Sequence, residues 1–295
     1  MSATHPIIGV TGSSGAGTSS AMAVLKGLFA GLGLTPAIVE GDAFHAYDRD
    51  GNRKAIERAH IRGENFSLFG PAGNHLDRLE ALLREYGETG TGVFRHYLHT
   101  EAEARAAGQS AGTFTPWQPL PQGTDVLFYE GLHGGYVGED ADIHRHMDLL
   151  IGVVPVINLE WIQKIRRDTE ERGHHPEDVM RTILRRIPDY VTYITPQFSR
   201  TDVNFQRVPL VDTSNPFTVR DIPKPEESLV VIHFNEHSRL RADIDELGDA
   251  IDGAYTPNAH SLVVPGPQME AAMELILAPA IEALAETRRR LLAGA

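Results

Sequence analysis

The stretch Ile7-Ile8-Gly9-Val10-Thr11-Gly12-Ser13-Ser14-Gly15-Ala16-Gly17-Thr18-Ser19-Ser20-Ala21-Met22-Ala23-Val24-Leu25 decides how the chain is read. An apolar run, a glycine-rich turn and a helix-forming run follow one another, the context that a phosphate-binding loop requires. Glycines 12, 15 and 17 let successive backbone N–H groups turn onto a phosphate at a helix N-terminus, where the helix dipole also favours negative charge. Residues 12–19 are therefore the expected ATP phosphate cradle: Gly12, Ser13, Ser14, Gly15, Ala16, Gly17, Thr18 and Ser19, with the Ser19 hydroxyl placed to reach Mg²⁺. The usual pattern has lysine where Thr18 stands, so another cation must serve the phosphates. A plain strand-to-helix turn is the alternative.

Outward from this loop, composition narrows the class. The chain has 295 residues, 41% of them hydrophobic, and no cysteine. That is ample for a packed α/β core, and it excludes disulfides and thiolate metal sites. A formal charge of −13 argues against an extended nucleic-acid surface. No apolar run approaches the ~18 residues of a membrane span. The first residues lack a basic and apolar leader pattern, so a cytoplasmic location is expected.

Short apolar runs at 36–40, 125–129 and 148–154 read as buried parallel strands alternating with helices, two of them at 77–86 and 159–172. Later strands are expected at 229–234 and 261–264, followed by a closing helix over 268–292. Its basic end, Arg288-Arg289-Arg290, reads as a solvated helix terminus. Without a clear boundary, 1–295 reads as a single domain with a lid at about 160–190 and a C-terminal extension at about 229–292.

Functional groups in such sheets gather at the carboxyl ends of the strands. After the second strand comes Glu40-Gly41-Asp42-Ala43-Phe44-His45, with Arg49 beyond. Asp42 is the candidate base for an acceptor hydroxyl, although the position also fits a helix N-cap. If the segment is helical, His45 and Arg49 share its face. Glu130, ending the run Phe128-Tyr129-Glu130, stands where an acidic residue holds Mg²⁺ or its water. The segment 158–173 carries Lys164, Arg166, Arg167 and Arg172, and Arg181, Arg185 and Arg186 follow. One reading is an exposed helix stitched by pairs such as Lys164–Asp168, Arg167–Glu171 and Asp168–Arg172. The other is a mobile phosphate clamp, in which Lys164 replaces the missing loop lysine and Arg167 and Arg172 act on the transferring phosphoryl group or ADP.

Several strings resemble the bacterial form of the phosphoribulokinase family, which is related to uridine kinases. They are Gly12-Ser13-Ser14-Gly15-Ala16-Gly17-Thr18, Glu40-Gly41-Asp42-Ala43-Phe44-His45, Tyr129-Glu130-Gly131-Leu132-His133-Gly134, the run from Val154 to Ile165 with Arg167-Asp168, Asn204-Phe205-Gln206-Arg207-Val208-Pro209, and Asp212-Thr213-Ser214-Asn215-Pro216-Phe217. The resemblance implies a P-loop NTPase fold, an adenylate-kinase-like mixed β-sheet flanked by helices. It implies transfer of a phosphoryl group from ATP, with Mg²⁺, to the 1-hydroxyl of D-ribulose 5-phosphate, and a homo-oligomer, an octamer or dimer-based assembly. It implies catalytic roles for Asp42, Lys164, Arg167 and Asp168, metal binding by Ser19 and Glu130, nucleotide contact by Arg172, and substrate contact by His45, Arg49, Tyr97, His99, Arg185 and Arg186. A uridine kinase-like or other small-metabolite kinase, and a non-catalytic nucleotide-binding regulator, are the competing readings; retention of both Asp42 and Glu130 speaks against the latter. NADH activation in this family is associated with arginines in two late strands. His233 and Asn258 stand there, so NADH is expected to activate weakly or not at all, the counter-reading being that Arg239 or Arg241 does the same work.

Overall fold

A computed structural model describes residues 4–13, 17–170, 173–218, 221–240 and 242–294. The first strand, β1 (Ile7–Thr11), is buried at every position, because it lies inside the sheet with both faces covered. Helix α1 (Thr18–Gly31) follows the glycine loop, and β2 (Pro36–Glu40) forms one sheet edge, where Pro36 needs no ladder partner for its missing N–H. Next come α2 (Arg49–Ile61), α3 (Leu76–Thr89), the short β3 (Val93–Phe94), α4 (Glu101–Ala107) and β4 (Gln118–Pro119), with β3 and β4 pairing as a separate ribbon. β5 (Val126–Gly131), β6 (Leu149–Pro155), α5 (Ile157–Glu170), α6 (Pro176–Asp189), β7 (Val203–Pro209) and β8 (Ser228–Phe234) complete the middle of the chain. α7 (Ile244–Ala250), β9 (Tyr255–Asn258), β10 (Ser261–Pro265) and α8 (Met269–Ala293) close it.

The main sheet has the order β2-β5-β1-β6-β7-β8-β10-β9. The first five strands are parallel, and the last three are joined by antiparallel pairings. Two apolar clusters sandwich the parallel part. One joins Leu25 and Phe29 of α1 and Met273 and Leu277 of α8 to Val10, Phe128 and Ile151. The other joins Leu79, Leu83 and Tyr86 of α3 to Phe44, Leu127 and Leu150. The carboxyl ends of β1, β2, β5 and β6 therefore open on one rim of the sheet, the place at which this class of fold binds ligands.

The expected strands at 7–10, 36–40, 125–129, 148–154, 229–234 and 261–264 all form, as does the expected closing helix. Three readings need correction. Residues 203–209, quoted as a motif, form the internal strand β7; the polar Asn204, Gln206 and Arg207 disguise it, and Asn204 is buried by bonding Thr201 and the Phe198 carbonyl. Arg288 is not a solvated cap: it pairs with Asp125 at 3.0 Å and reaches the Thr124 carbonyl, tying α8 to the entry of β5, whereas Arg289 and Arg290 are exposed. Asp42 and Arg49 do not share one helix, because a 3₁₀ turn (Gly41–Phe44) ends before α2 begins at Arg49. His233 and Asn258 flank Ser261 in one cross-strand row, and Arg241 lies outside the described residues. Among the described residues no helix is long and apolar enough to cross a membrane.

Candidate active site

The phosphate loop leaves β1 between its two parallel neighbours. Gly12 has no room for a side chain, since a Cβ there would meet the Val153 carbonyl at 2.7 Å. Gly17 adopts φ +97°, the left-handed conformation that turns the chain into α1 without a side-chain cap. Ser14, Gly15, Ala16 and Arg172, and the Ser19 side chain, lie outside the described residues. Thr18 opens α1, and its hydroxyl hydrogen-bonds Glu130 at the end of β5. In place of a cation, position 18 thus supplies a donor to the proposed metal carboxylate.

Burial pushes the Glu130 carboxyl up to about 7, opposed by the Thr18 bond and aided by nearby Asp42 and Glu40. Glu40 is the direct cross-strand neighbour of Glu130 in the β2–β5 register. This was missed in the sequence, where the two are 90 residues apart, and only strand register brings them together. A largely buried carboxyl that bonds Thr18 and lies near two further carboxylates is a group able to hold Mg²⁺. Among the described residues no group of three or more His, Asp or Glu is gathered to cage a metal. That suits Mg²⁺, which keeps waters and phosphate oxygens and takes only one or two protein ligands.

Across the rim, the 3₁₀ turn presents Asp42 with its side chain 41% exposed, open to an incoming acceptor. His45 Nε2 lies 3.1 Å from Asp42 Oδ1, and His99 Nε2 3.6 Å from Oδ2. Arg49 donates to the His99 carbonyl at 3.2 Å and bonds the Tyr97 hydroxyl. Tyr97 sets its ring edge-on between His45 and His99. Asp42, His45, Arg49, Tyr97 and His99 are thus brought together as expected, although by separate segments rather than one helix.

Arg95, which sequence reading passed over, holds this corner. Its Nε and Nη2 each donate at 2.7 Å, to the carbonyls of Ala43 and His45. Its guanidinium lies 3.6 Å from the Phe114 ring centre and 4.6 Å from that of Trp117. Burial pulls its pKa down to about 10, still cationic at neutral pH. Arg95→Met removes two charge-assisted bonds, leaves two carbonyls without a donor and loses the ring contacts. A destabilisation of about 2–4 kcal/mol is expected in urea unfolding, with a smaller loss for Arg95→Lys, which cannot span both carbonyls.

The helical pair α5 and α6 forms the segment read as a lid. On α5, Leu159 and Ile162 are buried with two acids, Glu160 and Asp168, an unusual burial that needs partners. Asp168 receives Lys164 at 2.6 Å and Arg167 at 3.2 Å, so the expected i,i+4 pair forms and Arg167 joins it. Glu171 and Arg172 of the other two expected pairs lie outside the described residues. Burial lowers the Lys164 pKa, against the opposing pull of Asp168. Glu160 faces the loop residue Ser13 and sits near Lys164 and Arg167, and burial pushes its carboxyl up to about 7. Ser13 also lies beside Tyr190, and the Ser13 hydroxyl and Glu160 Oε2 are both buried without a hydrogen-bond partner among the described residues. From α6, Arg186 projects beside Phe69 towards the fields of Asp168 and Asp42, and burial pulls its pKa down to about 10. Its Nε is buried with no hydrogen-bond partner among the described residues, a donor suited to an anion. Arg185 instead bonds the Phe66 carbonyl, which gives it a backbone partner rather than an open one.

Known proteins resemble this chain over nearly its whole length. The model of the Phosphoribulokinase / Uridine kinase family matches residues 7–214. A probable phosphoribulokinase of Escherichia coli is 52% identical over 289 residues, spanning 98% of this chain and 99% of its own length. The chromosomal phosphoribulokinase of Cupriavidus necator is also 52% identical, over 291 residues, with the same coverage of 98% and 99%. Among solved structures, the phosphoribulokinase from Rhodobacter spheroides superposes with a TM-score of 0.88 at 45% identity, covering 98% of this chain and all of the other.

Proposed function

The chain belongs to the phosphoribulokinase / uridine kinase family, and from that premise we propose that it transfers the γ-phosphoryl group of ATP to the 1-hydroxyl of D-ribulose 5-phosphate, giving ribulose 1,5-bisphosphate and ADP. The observation that carries this reading within the family is the acceptor corner. A solvent-facing carboxylate, Asp42, has His45 and His99 against it, with Arg49 bonded to the neighbouring His99 carbonyl and Arg186 of the lid within its field, a set able to hold an acceptor that itself bears a phosphate.

Asp42 takes the proton from the acceptor hydroxyl, whose oxygen attacks the γ-phosphorus in line as the bond to ADP breaks. The phosphate loop holds the nucleotide through backbone N–H groups and the α1 N-terminus. Glu130 and Ser19 would hold Mg²⁺ together with the ATP phosphates. When bound, the ion spreads and offsets their negative charge. Lys164, Arg167 and Arg172 on the lid supply the positive charge that Thr18 cannot, and Asp168 keeps two of these cations aimed. Arg49, His45, Tyr97, His99, Arg185 and Arg186 line the acceptor's side. Closure of the segment 160–190 over the rim excludes water from the transfer. The working enzyme is a homo-oligomer in the cytoplasm.

The test is ATP turnover against a panel of pentose phosphates and nucleosides. Turnover with ribulose 5-phosphate and none with uridine is the expected result. Equal or better turnover of uridine assigns the chain to the other branch of the family.

A further inference from the structure

In α6, Asp189 stands four residues after Arg185 and three after Arg186. Those spacings put the carboxylate on the helix face of both guanidinium groups, where ion pairs form in isolated helices. Neither pair forms among the described residues. Arg185 donates instead to the Phe66 carbonyl, and Asp189 Oδ2 accepts from the Ser67 hydroxyl at 2.6 Å. Arg186 Nε is left buried without a hydrogen-bond partner, its guanidinium 5.5 Å from the Phe69 ring centre.

The segment that parts these charges is itself held. Ser67 is buried, and its hydroxyl both donates to Asp189 and accepts from the Phe69 N–H at 3.2 Å. The Asn74 amide donates to the carbonyls of Leu68 at 3.0 Å and Gly70 at 2.8 Å. His133 Nε2 lies 3.0 Å from the Phe69 carbonyl, which can only accept, so that nitrogen carries a hydrogen. Tyr190, the residue after Asp189, packs its ring edge-on against Phe69. Residues 66–70 are thus a fixed seat for the last turn of α6, and Ser67 Oγ is the atom of that seat that meets the Asp189 carboxylate.

We propose that Ser67 is a positioning residue that holds Asp189 away from Arg186, so that Arg186 keeps an open N–H for the phosphate of the acceptor. The inference rests on the reading of Arg186 as an acceptor-side group. A carboxylate freed from Ser67 gains most by turning onto the guanidinium beside it that lacks a partner. A guanidinium paired in that way offers less charge and fewer donors to an incoming phosphate. Arg185 does not compete for the carboxylate, because the Phe66 carbonyl already occupies it.

Ser67→Ala deletes one oxygen and fills nearly the same space, so the variant is expected to fold. In the full-length enzyme it should raise KM for ribulose 5-phosphate roughly 5- to 10-fold, with kcat and KM for ATP changed less than about 2-fold. Asp189→Asn keeps an acceptor for Ser67 but carries no charge, and should stay within about 2-fold of wild type in all three constants. The two changes together separate this role from simple support of the turn. With no carboxylate left to turn onto Arg186, Ser67→Ala combined with Asp189→Asn should return KM to within about 2-fold of wild type. A crystal structure of the free Ser67→Ala enzyme, grown without any substrate, should show the Asp189 carboxylate on Arg186. A double variant as poor as Ser67→Ala, an unchanged KM in Ser67→Ala, an equal rise in KM for ATP, or an Asp189 that stays off Arg186 in that crystal structure overturns the proposal. The crystal structure tests the hold on Asp189 even if the acceptor proves to be another molecule, so the two failures are distinguishable.

Discussion

Asp42→Asn is expected to lower kcat by roughly 10² to 10⁴ while leaving ATP binding nearly unchanged. The substitution keeps the shape and most of the hydrogen-bonding reach of the side chain and removes only its ability to take a proton. Asp42 sits on a short turn whose backbone is held independently, by Arg95 on the carbonyls of Ala43 and His45 and by the Phe44–His75 bond. The N-cap position of the turn is Glu40 and not Asp42, and asparagine keeps the shape of the aspartate, so the variant is expected to leave the turn folded. The loss should therefore appear in turnover and not in thermal unfolding. Single-turnover rates with saturating ATP, alongside nucleotide titration by calorimetry, separate the two. Wild-type kcat in this variant would reduce Asp42 to a structural member of the turn.

Glu130→Gln is the second large effect, and it pulls stability and activity in opposite directions. Loss of the carboxylate proposed to hold Mg²⁺ should lower kcat by roughly 10²-fold or more. In the free enzyme the same change should stabilise the fold above neutral pH. Burial raises the carboxyl from 4.5 in the unfolded chain to about 7 in the folded one. A raised folded pKa means that the native state holds a proton which the unfolded chain releases earlier. The group's contribution is thus fully present below about pH 4.5 and is lost as pH rises through 7. The difference amounts to no more than about 3 kcal/mol. Glutamine cannot ionise, so its advantage should vanish near pH 4.5 and grow up to about pH 8. Parallel melting curves of the two free proteins across that range check the sign. A variant less stable than wild type at pH 8 would mean that Glu130 is already charge-compensated by the protein.

What could be read from the chain alone is what local chemistry determines. The strand, glycine turn and helix of residues 7–25 announce themselves because only glycine or small residues suit a backbone wrapped on phosphate. The apolar runs at 36–40, 125–129 and 148–154 are legible because strands buried on both faces have no polar alternation to confuse them. Asp42 and Glu130 stood out as candidates from position alone, each just past or at the end of such a strand. β7 was not legible as a strand, because its polar Asn204 is satisfied by Thr201 and Phe198 and its Arg207 by Ser228 and the Pro223 carbonyl, which only packing reveals. The neighbours that set the chemistry were hidden for the same reason. Asn74 meets His45, Arg95 holds the carbonyls of Ala43 and His45, Glu40 lies beside Glu130, and Arg288 reaches Asp125, each across tens of residues or more. Sequence spacing records which side chains can share one helix or one strand. Which arginine is left open to a ligand, and which carboxylate loses its water, depends on segments that meet only when the sheet and its loops have closed on one another.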